Sequence, residues 1–246
     1  MEHNTFVKHF PDLMQASTAL ANLTVDIAND SVKKHGAFML AISGGRTPEL
    51  FFCIVAQSQY LKKMPWRKTQ VFWVDERFVP RTHPDNNFNN AFGLLFYALP
   101  ISDSNINIIF TDIYNPDETA LKYELYARRI FHINEDEEKF PQFDLILLGM
   151  GPDGHTASLF PDSDLLNEKR KWYIAVPAPA ISPAVERITM TLPVINNARN
   201  VAFLVSTAGK KEALDAALKG NPNTKYPASL VKPEGNLYWF IDDSSI

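Results

Sequence analysis

The stretch LLGMGPDGHTASLFP, residues 147–161, places a carboxylate and an imidazole two positions apart among glycines. His155 is of the residue type that takes and returns a proton near neutral pH. Asp153 can orient that ring or bind a hydroxyl. SGGRTPELF, from Ser43, sets Gly44, Gly45 and the hydroxyls of Ser43 and Thr47 ahead of Pro48. A strand, a glycine pair and a helix N-terminus with Thr47 as cap make an anion cradle. VFWVDERFVPRTHPDNNF puts Asp75, Glu76 and Arg77 at the end of an apolar run. Arg77 offers a planar fork to a carboxylate or a developing oxyanion. Asp75 can accept hydroxyl hydrogen bonds from a sugar-like ligand, and Asn87 stands at a helix start as ligand group or cap. Arg187 opens RITMTL and Lys210 follows NVAFLVS. Both lie near the ends of sheet elements, within reach of a phosphate on the Gly44–Gly45 loop, with Lys211 left to solvent.

Gly149, Gly151 and Gly154 also spell G-x-G-x-x-G after the apolar run 143–148, the local form of a dinucleotide-binding turn. Three features speak against NAD. The acidic residue wanted about 20 positions on, after the next strand, is absent: WYIAV ends at Pro177. The motif comes late in the chain, and its third glycine is followed at once by His155 and Thr156. The glycines are better read as letting backbone pass close to a substrate and presenting Asp153 and His155. A helix over 154–160 would then place His155 at its N-terminus, where the dipole keeps the ring uncharged. No second His or Cys stands at ligand spacing from His155, so neither a metal nor another cofactor is expected.

These stretches need a scaffold that brings strand ends together. GAFMLAIS (36–43), TQVFWVD (69–75), FDLILLGM (143–150), KWYIAVPA (171–178), ERITMTL (186–192), NVAFLVS (200–206) and LYWFID (237–242) read as strands. Several are apolar almost throughout, as strands covered on both faces are. Helical patterns fall at about 12–34, 48–58, 86–97, 116–132, 154–160 and 209–219. The alternation predicts one α/β domain over 1–246, a doubly wound, mostly parallel sheet flanked by helices. Ligands bind beyond the carboxyl ends of such strands, which is where the three polar clusters fall.

Composition narrows the partners. The chain has 246 residues, 46% of them hydrophobic, and a formal net charge of -4. A broad basic footprint for nucleic acid is not expected. The single cysteine, Cys53, lies in LFFCIV and reads as a buried thiol in a cytosolic protein. The first residues lack the pattern of a signal peptide, and no apolar run approaches the ~20 residues of a membrane span. NEDEEKFP, residues 134–141, reads as a solvated loop.

SGGRTP, DERFVPRTHPDNNF and GMGPDGHTASLFP, in this order and spacing, resemble the 6-phosphogluconolactonase family. ERITMTLPVINNA and the lysine segment STAGKKEAL are similar to its later motifs, and the likeness runs from about residue 36 to 217. The resemblance implies the Rossmann-like architecture shared with glucosamine-6-phosphate deaminase and ribose-5-phosphate isomerase. It implies hydrolysis of 6-phospho-D-glucono-1,5-lactone to 6-phospho-D-gluconate, a step of the oxidative pentose phosphate pathway, by a cytoplasmic monomer or weak homodimer without a cofactor. The phosphate would dock on the Ser43–Gly45 amides with Arg187 and Lys210. His155 would activate water, with Arg77 or the amides of Gly151–Gly154 as oxyanion donors. The deaminases of the wider group continue after Gly-His with Ile-Ala-Phe-Asn-Glu-Pro. Here Leu159 and Phe160 stand where Asn and Glu would fall, which favours the lactonase. A non-enzymatic sugar-phosphate sensor should carry a DNA-binding segment, and the first 35 residues are not strongly basic. Arg46, Asn86 and Asp162 depart from the family pattern, where Ser, Ser and Gly are usual.

Overall fold

The structure, a computed structural model, describes residues 4–244. Apolar runs become strands covered on both faces: β2 (Phe38–Ile42), β3 (Thr69–Trp73), β5 (Leu145–Leu148), β8 (Asn200–Ser206) and β9 (Asn236–Asp242). With β1 (Asn4–Phe10) they form a six-stranded sheet in the order β1-β9-β8-β5-β2-β3, and every neighbouring pair is parallel. Helices α1 (Leu13–His35), α2 (Arg46–Val55), α4 (Asn87–Leu94), α5 (Pro116–Phe131) and α7 (Lys211–Leu218) flank it. Short helices α3 (Ser58–Leu61) and α6 (Leu192–Asn196) complete the set. Local chemistry sets the helix ends. The Asp12 carboxylate accepts the Gln15 N–H at 2.7 Å to start α1, and Gly36 closes it in the left-handed region. The core includes Trp73, Phe72 and the stacked pair Phe203 and Trp239 at 4.0 Å.

The chain leaves β2 for β3 on one side and returns to β5 on the other. The β2/β5 junction is therefore the switch point, beyond which ligands bind in this class of sheet.

Several elements differ from the sequence expectation. TQVFWVD does not run on as one strand. Val74 donates to Ile42 C=O at 2.9 Å, accepts from Met190 N–H at 2.7 Å, and hands the chain to a second sheet. There β4 (Asp75–Arg77), β7 (Arg187–Met190) and β6 (Tyr173–Val176) pair antiparallel in the order β4-β7-β6. β1, read as an entry segment, is a strand held by its register with β9, from Asn4 opposite Asn236 to Phe10 opposite Asp242. Its exposure on both faces erases the alternation that marks a strand. The helix expected over 48–58 starts at Arg46, stops at Val55 and is followed by α3. The helix over 86–97 stops at Leu94, before a 3-10 turn at Phe96–Ala98. No helix forms over 154–160, where turns and a Thr156–Leu159 bridge stand instead. Cys53 is exposed, because α2 buries Phe51, Phe52, Ile54 and Val55 and position 53 faces the other way.

At the end of the sheet away from the strand carboxyl ends, Asp144 is fully buried. Its carboxylate accepts the Met39 N–H at 2.8 Å and the His35 Nε2 at 2.9 Å, with Arg199 at 3.4 Å. Asp144→Ala strips these partners from α1, β2 and the start of β8. We expect a loss on the order of 2–3 kcal/mol in urea denaturation, the cost of leaving buried donors unpaired. A loss below about 0.5 kcal/mol would show that these contacts hold nothing together.

Candidate active site

Four adjacent strands, β3, β2, β5 and β8, end on one side of the sheet, and the segments leaving them meet in a cleft of about 270 Å³. From β2 come Ser43, Gly44, Gly45, Arg46 and Thr47; past β3 come Asp75 and Arg77. Gly149, Gly151 and His155 come from beyond β5, and Lys210 from beyond β8. α4 adds Asn87 and β7 adds Arg187. The structure thus brings together ten of the residues singled out in the sequence, and Asp153 joins them through His155. Larger hollows, of about 640 and 420 Å³ along α5, carry neither a histidine nor an arginine, and one of about 530 Å³ holds His35, His132 and Arg199 but none of the residues of the cleft.

Strand periodicity sorts the charged triplet of β4. Asp75 and Arg77 share a face and Glu76 takes the other. On the cleft side, Arg77 lies directly opposite Arg187 in the antiparallel register, and Asp75 opposite Thr189. Like charges so placed repel. Neither guanidinium makes an ion pair among the described residues. Arg77 donates to Asp85 C=O at 2.9 Å and Arg187 to Pro183 C=O at 2.9 Å, but the Nε of each is buried without a partner. Burial lowers the Arg187 pKa; Asp75 opposes that and Arg77 adds to it. Asp75 accepts the Ser158 hydroxyl at 2.7 Å.

The other face of β4 holds Glu76, to which the sequence assigns no role of its own. Glu76, 1% exposed, accepts the N–H groups of Arg77, Asn87 and Phe88 at 2.8, 2.7 and 2.9 Å. It closes the N-terminus of α4 and ties it to β4. Burial pushes its carboxyl up to about 8, although three N–H donors favour the charged form. The period of two in DER was the available signal. Asn86, not Asn87, caps α4, accepting the Asn89 N–H at 3.0 Å. Asn87 is the first helical residue; its amide donates to Asp75 C=O at 2.9 Å and its Oδ1 is buried without a partner. That side chain lies so close to Gly44 that a Cβ there would sit 1.9 Å from Oδ1.

The glycines around His155 have a comparable purpose. A Cβ on Gly151 would fall 2.1 Å from the imidazole, so the ring rests against bare backbone. His155 Nδ1 lies 2.5 Å from Asp153 Oδ1, and the His155 N–H donates to the same oxygen at 3.2 Å. Burial alone would raise the Asp153 carboxyl; the hydrogen bonds and charge of His155 bring it below the ordinary carboxylate range. An ionised Asp153 holds the proton on Nδ1 and leaves Nε2 as the basic nitrogen. His155 does not sit at a helix N-terminus, since no helix follows it, and its orientation comes from the contact with Asp153 instead of from a helix dipole. Phe160 packs on the ring at 4.9 Å between centroids.

The anion loop differs in detail from its expectation. Gly45, at φ 98°, is the N-cap of α2, and no side chain caps the helix, so Thr47 lies inside its first turn. The Ser43 hydroxyl donates to Leu147 C=O at 2.9 Å, which commits its proton to joining β2 and β5. Among the described residues, neither the Gly44 nor the Gly45 N–H finds an acceptor. Lys210 is the N-cap residue of α7 and makes no ion pair there, while Lys211 is exposed. The amides of Gly151 and Gly154 already donate to His155 C=O and Gly151 C=O at 2.9 and 3.0 Å, and residue 152 is proline. Of the donors expected from the sequence, Arg77 lines the cleft and remains for an oxyanion. Among the described residues, no group of three or more His, Cys, Asp or Glu is placed to hold a metal ion.

The fold and cleft together define an α/β protein with a cation-lined cleft beyond the ends of a doubly wound sheet. The sequence profile of glucosamine-6-phosphate isomerases/6-phosphogluconolactonase matches residues 11–239, and the chain belongs to that family. A chloroplastic 6-phosphogluconolactonase 3 of Arabidopsis thaliana is 39% identical over 227 residues, 91% of this chain and 69% of that protein. A 6-phosphogluconolactonase of Nostoc sp. is 37% identical over 242 residues, 96% of each. The solved 6-phosphogluconolactonase of Thermotoga maritima matches with TM-score 0.83 at 27% identity, over 98% of this chain and 100% of that one. A monomeric glucosamine-6-phosphate deaminase shares the fold, with TM-score 0.80 at 18% identity over 98% of each chain.

The Arg77–Arg187 register makes a measurable claim. A double-mutant cycle of Arg77→Gln and Arg187→Gln, read by urea denaturation at low salt, should return a repulsive coupling of about 0.5–1 kcal/mol. Added inorganic phosphate should reverse its sign. Zero or attractive coupling without phosphate would show that the two cations do not oppose each other.

Proposed function

We propose that this chain, working as one domain, hydrolyses 6-phospho-D-glucono-1,5-lactone to 6-phospho-D-gluconate in the oxidative pentose phosphate pathway, with His155 as general base. The observation that carries the reading is the His155–Asp153 pair set in a cleft whose four cations form no ion pair among the described residues. Relatives bearing the lactonase name at 34–39% identity support the same substrate. The exposed lone thiol of Cys53 suits a reducing compartment, and the cytoplasm is our assignment. Among the described residues no helix is long and apolar enough to cross a membrane.

In the mechanism, the phosphate binds the free N–H groups of Gly44 and Gly45 with Lys210 and Arg187, through charge-assisted contacts. This tether holds the lactone ring toward His155 and Asp75, which takes sugar hydroxyls. His155 Nε2 removes a proton from water as the water oxygen bonds to C1. The carbonyl electrons move onto oxygen, where Arg77 meets the charge. The C1–ring-oxygen bond then breaks, and imidazolium returns the proton to the departing oxygen. Asp153 keeps Nδ1 protonated throughout. The electrophile is an ester carbonyl, so no redox step enters. The deaminase alternative lacks support at the positions where its glutamate would fall. Leu159 is buried, and Phe160 covers the imidazole and lies 5.5 Å from the Arg187 guanidinium.

The test is an assay that generates the lactone in situ with glucose-6-phosphate dehydrogenase and follows 6-phosphogluconate above the uncatalysed rate. Glucosamine 6-phosphate runs in parallel with ammonia as readout. We expect lactone turnover and no ammonia. His155→Ala should lower kcat by ~10²–10⁴ while retaining affinity for 6-phosphogluconate. Lys210→Ala should raise KM about tenfold with a smaller effect on kcat. Full turnover by the His155 variant would overturn its role.

A further inference from the structure

Arg46 opens α2 directly after the Gly44–Gly45 loop and lines the same cleft as Lys210. Its side chain is exposed, and among the described residues it forms no ion pair, not even with Glu49 in the same first turn. Burial and then the like charge of Arg46 lower the Lys210 pKa, so the two cations feel each other across the cleft. No acid of the fold explains this arrangement. The cleft's one carboxylate-bearing lining residue, Asp75, already accepts a hydroxyl from Ser158. A phosphate monoester carries nearly two negative charges at neutral pH, its second pKa being about 6. Lys210 and Arg187 are both proposed to meet it, but Arg187 also feels the negative charge of Asp75, which leaves part of the ester's charge unmatched. A guanidinium beside Lys210, with free N–H groups of the glycine loop between, supplies the remainder.

We propose that Arg46 sets the preference of this site for phosphorylated over phosphate-free lactones, as a third cation, beside Lys210 and Arg187, at the phosphate end of the cleft. The inference rests on the lactonase reading above and adds a specificity residue to it. A sugar acid or lactone without phosphate has nothing to offer Arg46, so its effect falls on one substrate class. Because Arg46 is exposed, its contribution is screened by salt.

The experiment compares kcat/KM for 6-phosphogluconolactone with that for glucono-1,5-lactone, as a ratio, in low salt. Arg46→Ala should lower that ratio about tenfold, and Arg46→Lys should recover most of it. The difference between wild type and Arg46→Ala should shrink in about 0.5 M salt, where the screening length is only a few ångströms. An unaltered ratio, or equal losses on both lactones, would overturn the inference. Lys210→Ala separates this failure from that of the broader reading. If Lys210→Ala lowers the ratio and Arg46→Ala does not, only the role of Arg46 is wrong. If the wild type shows no preference for the phosphorylated lactone, the phosphate site itself is wrong.

Discussion

Arg77 and Arg187 face each other across β4 and β7, and Lys210 and Arg46 line the same cleft, all four without an acidic partner among the described residues. A folded protein ordinarily pairs or hydrates its buried charges, because an unpaired buried charge costs several kcal/mol. This chain is acidic overall, with a formal net charge of -4, so carboxylates were available. Among the described residues lining the cleft, Asp75 alone carries a carboxylate, against four cations, so positive charge is in excess there. Much of the architecture holds that charge in place. The β2/β5 switch point supplies the opening, the second sheet fixes the two guanidiniums in register, and buried Glu76 ties β4 to α4 so that the register is kept.

The imidazole is held by different means. His155 sits on bare backbone at Gly151, is oriented by Asp153 and is covered by Phe160. Of these contacts only Phe160 also meets a cation, lying 5.5 Å from the Arg187 guanidinium. In the proposed mechanism, anchoring and proton transfer would occupy neighbouring parts of one cleft. An enzyme built this way can gain affinity from the phosphate and use it to align a carbonyl with a fixed base.

Much of this was legible in the sequence because apolar strand runs end at polar clusters. The ends of β2, β3, β5 and β8 could be located from FMLAI, TQVFW, LILL and NVAFLVS alone, and a parallel sheet then forces those ends together. Antiparallel pairing was harder. ERITMTL and KWYIAV are as apolar as the parallel strands, and nothing local says that Val74 turns the chain into a second sheet. β1 escaped notice because solvent covers both of its faces. The missing helix after Gly154 has a local cause: that glycine sits at φ 80° and Ala157 at φ 51°, so the chain turns back on itself. Cys53 was misjudged from its neighbours in sequence, although the helical period places it opposite them. Glu76 shows the same lesson in a strand, since its alternation with Asp75 and Arg77 was present to be read.

Thermal unfolding of the wild-type protein with 6-phosphogluconate or with gluconate tests most directly that unmatched positive charge awaits a phosphate ester. Binding to the folded state alone stabilises by about 2.7 kcal/mol at a hundredfold excess over Kd. The account predicts that the phosphorylated acid raises Tm by several degrees at low salt while gluconate at equal concentration leaves it near its starting value. Equal shifts from both acids, or none from either, would contradict it.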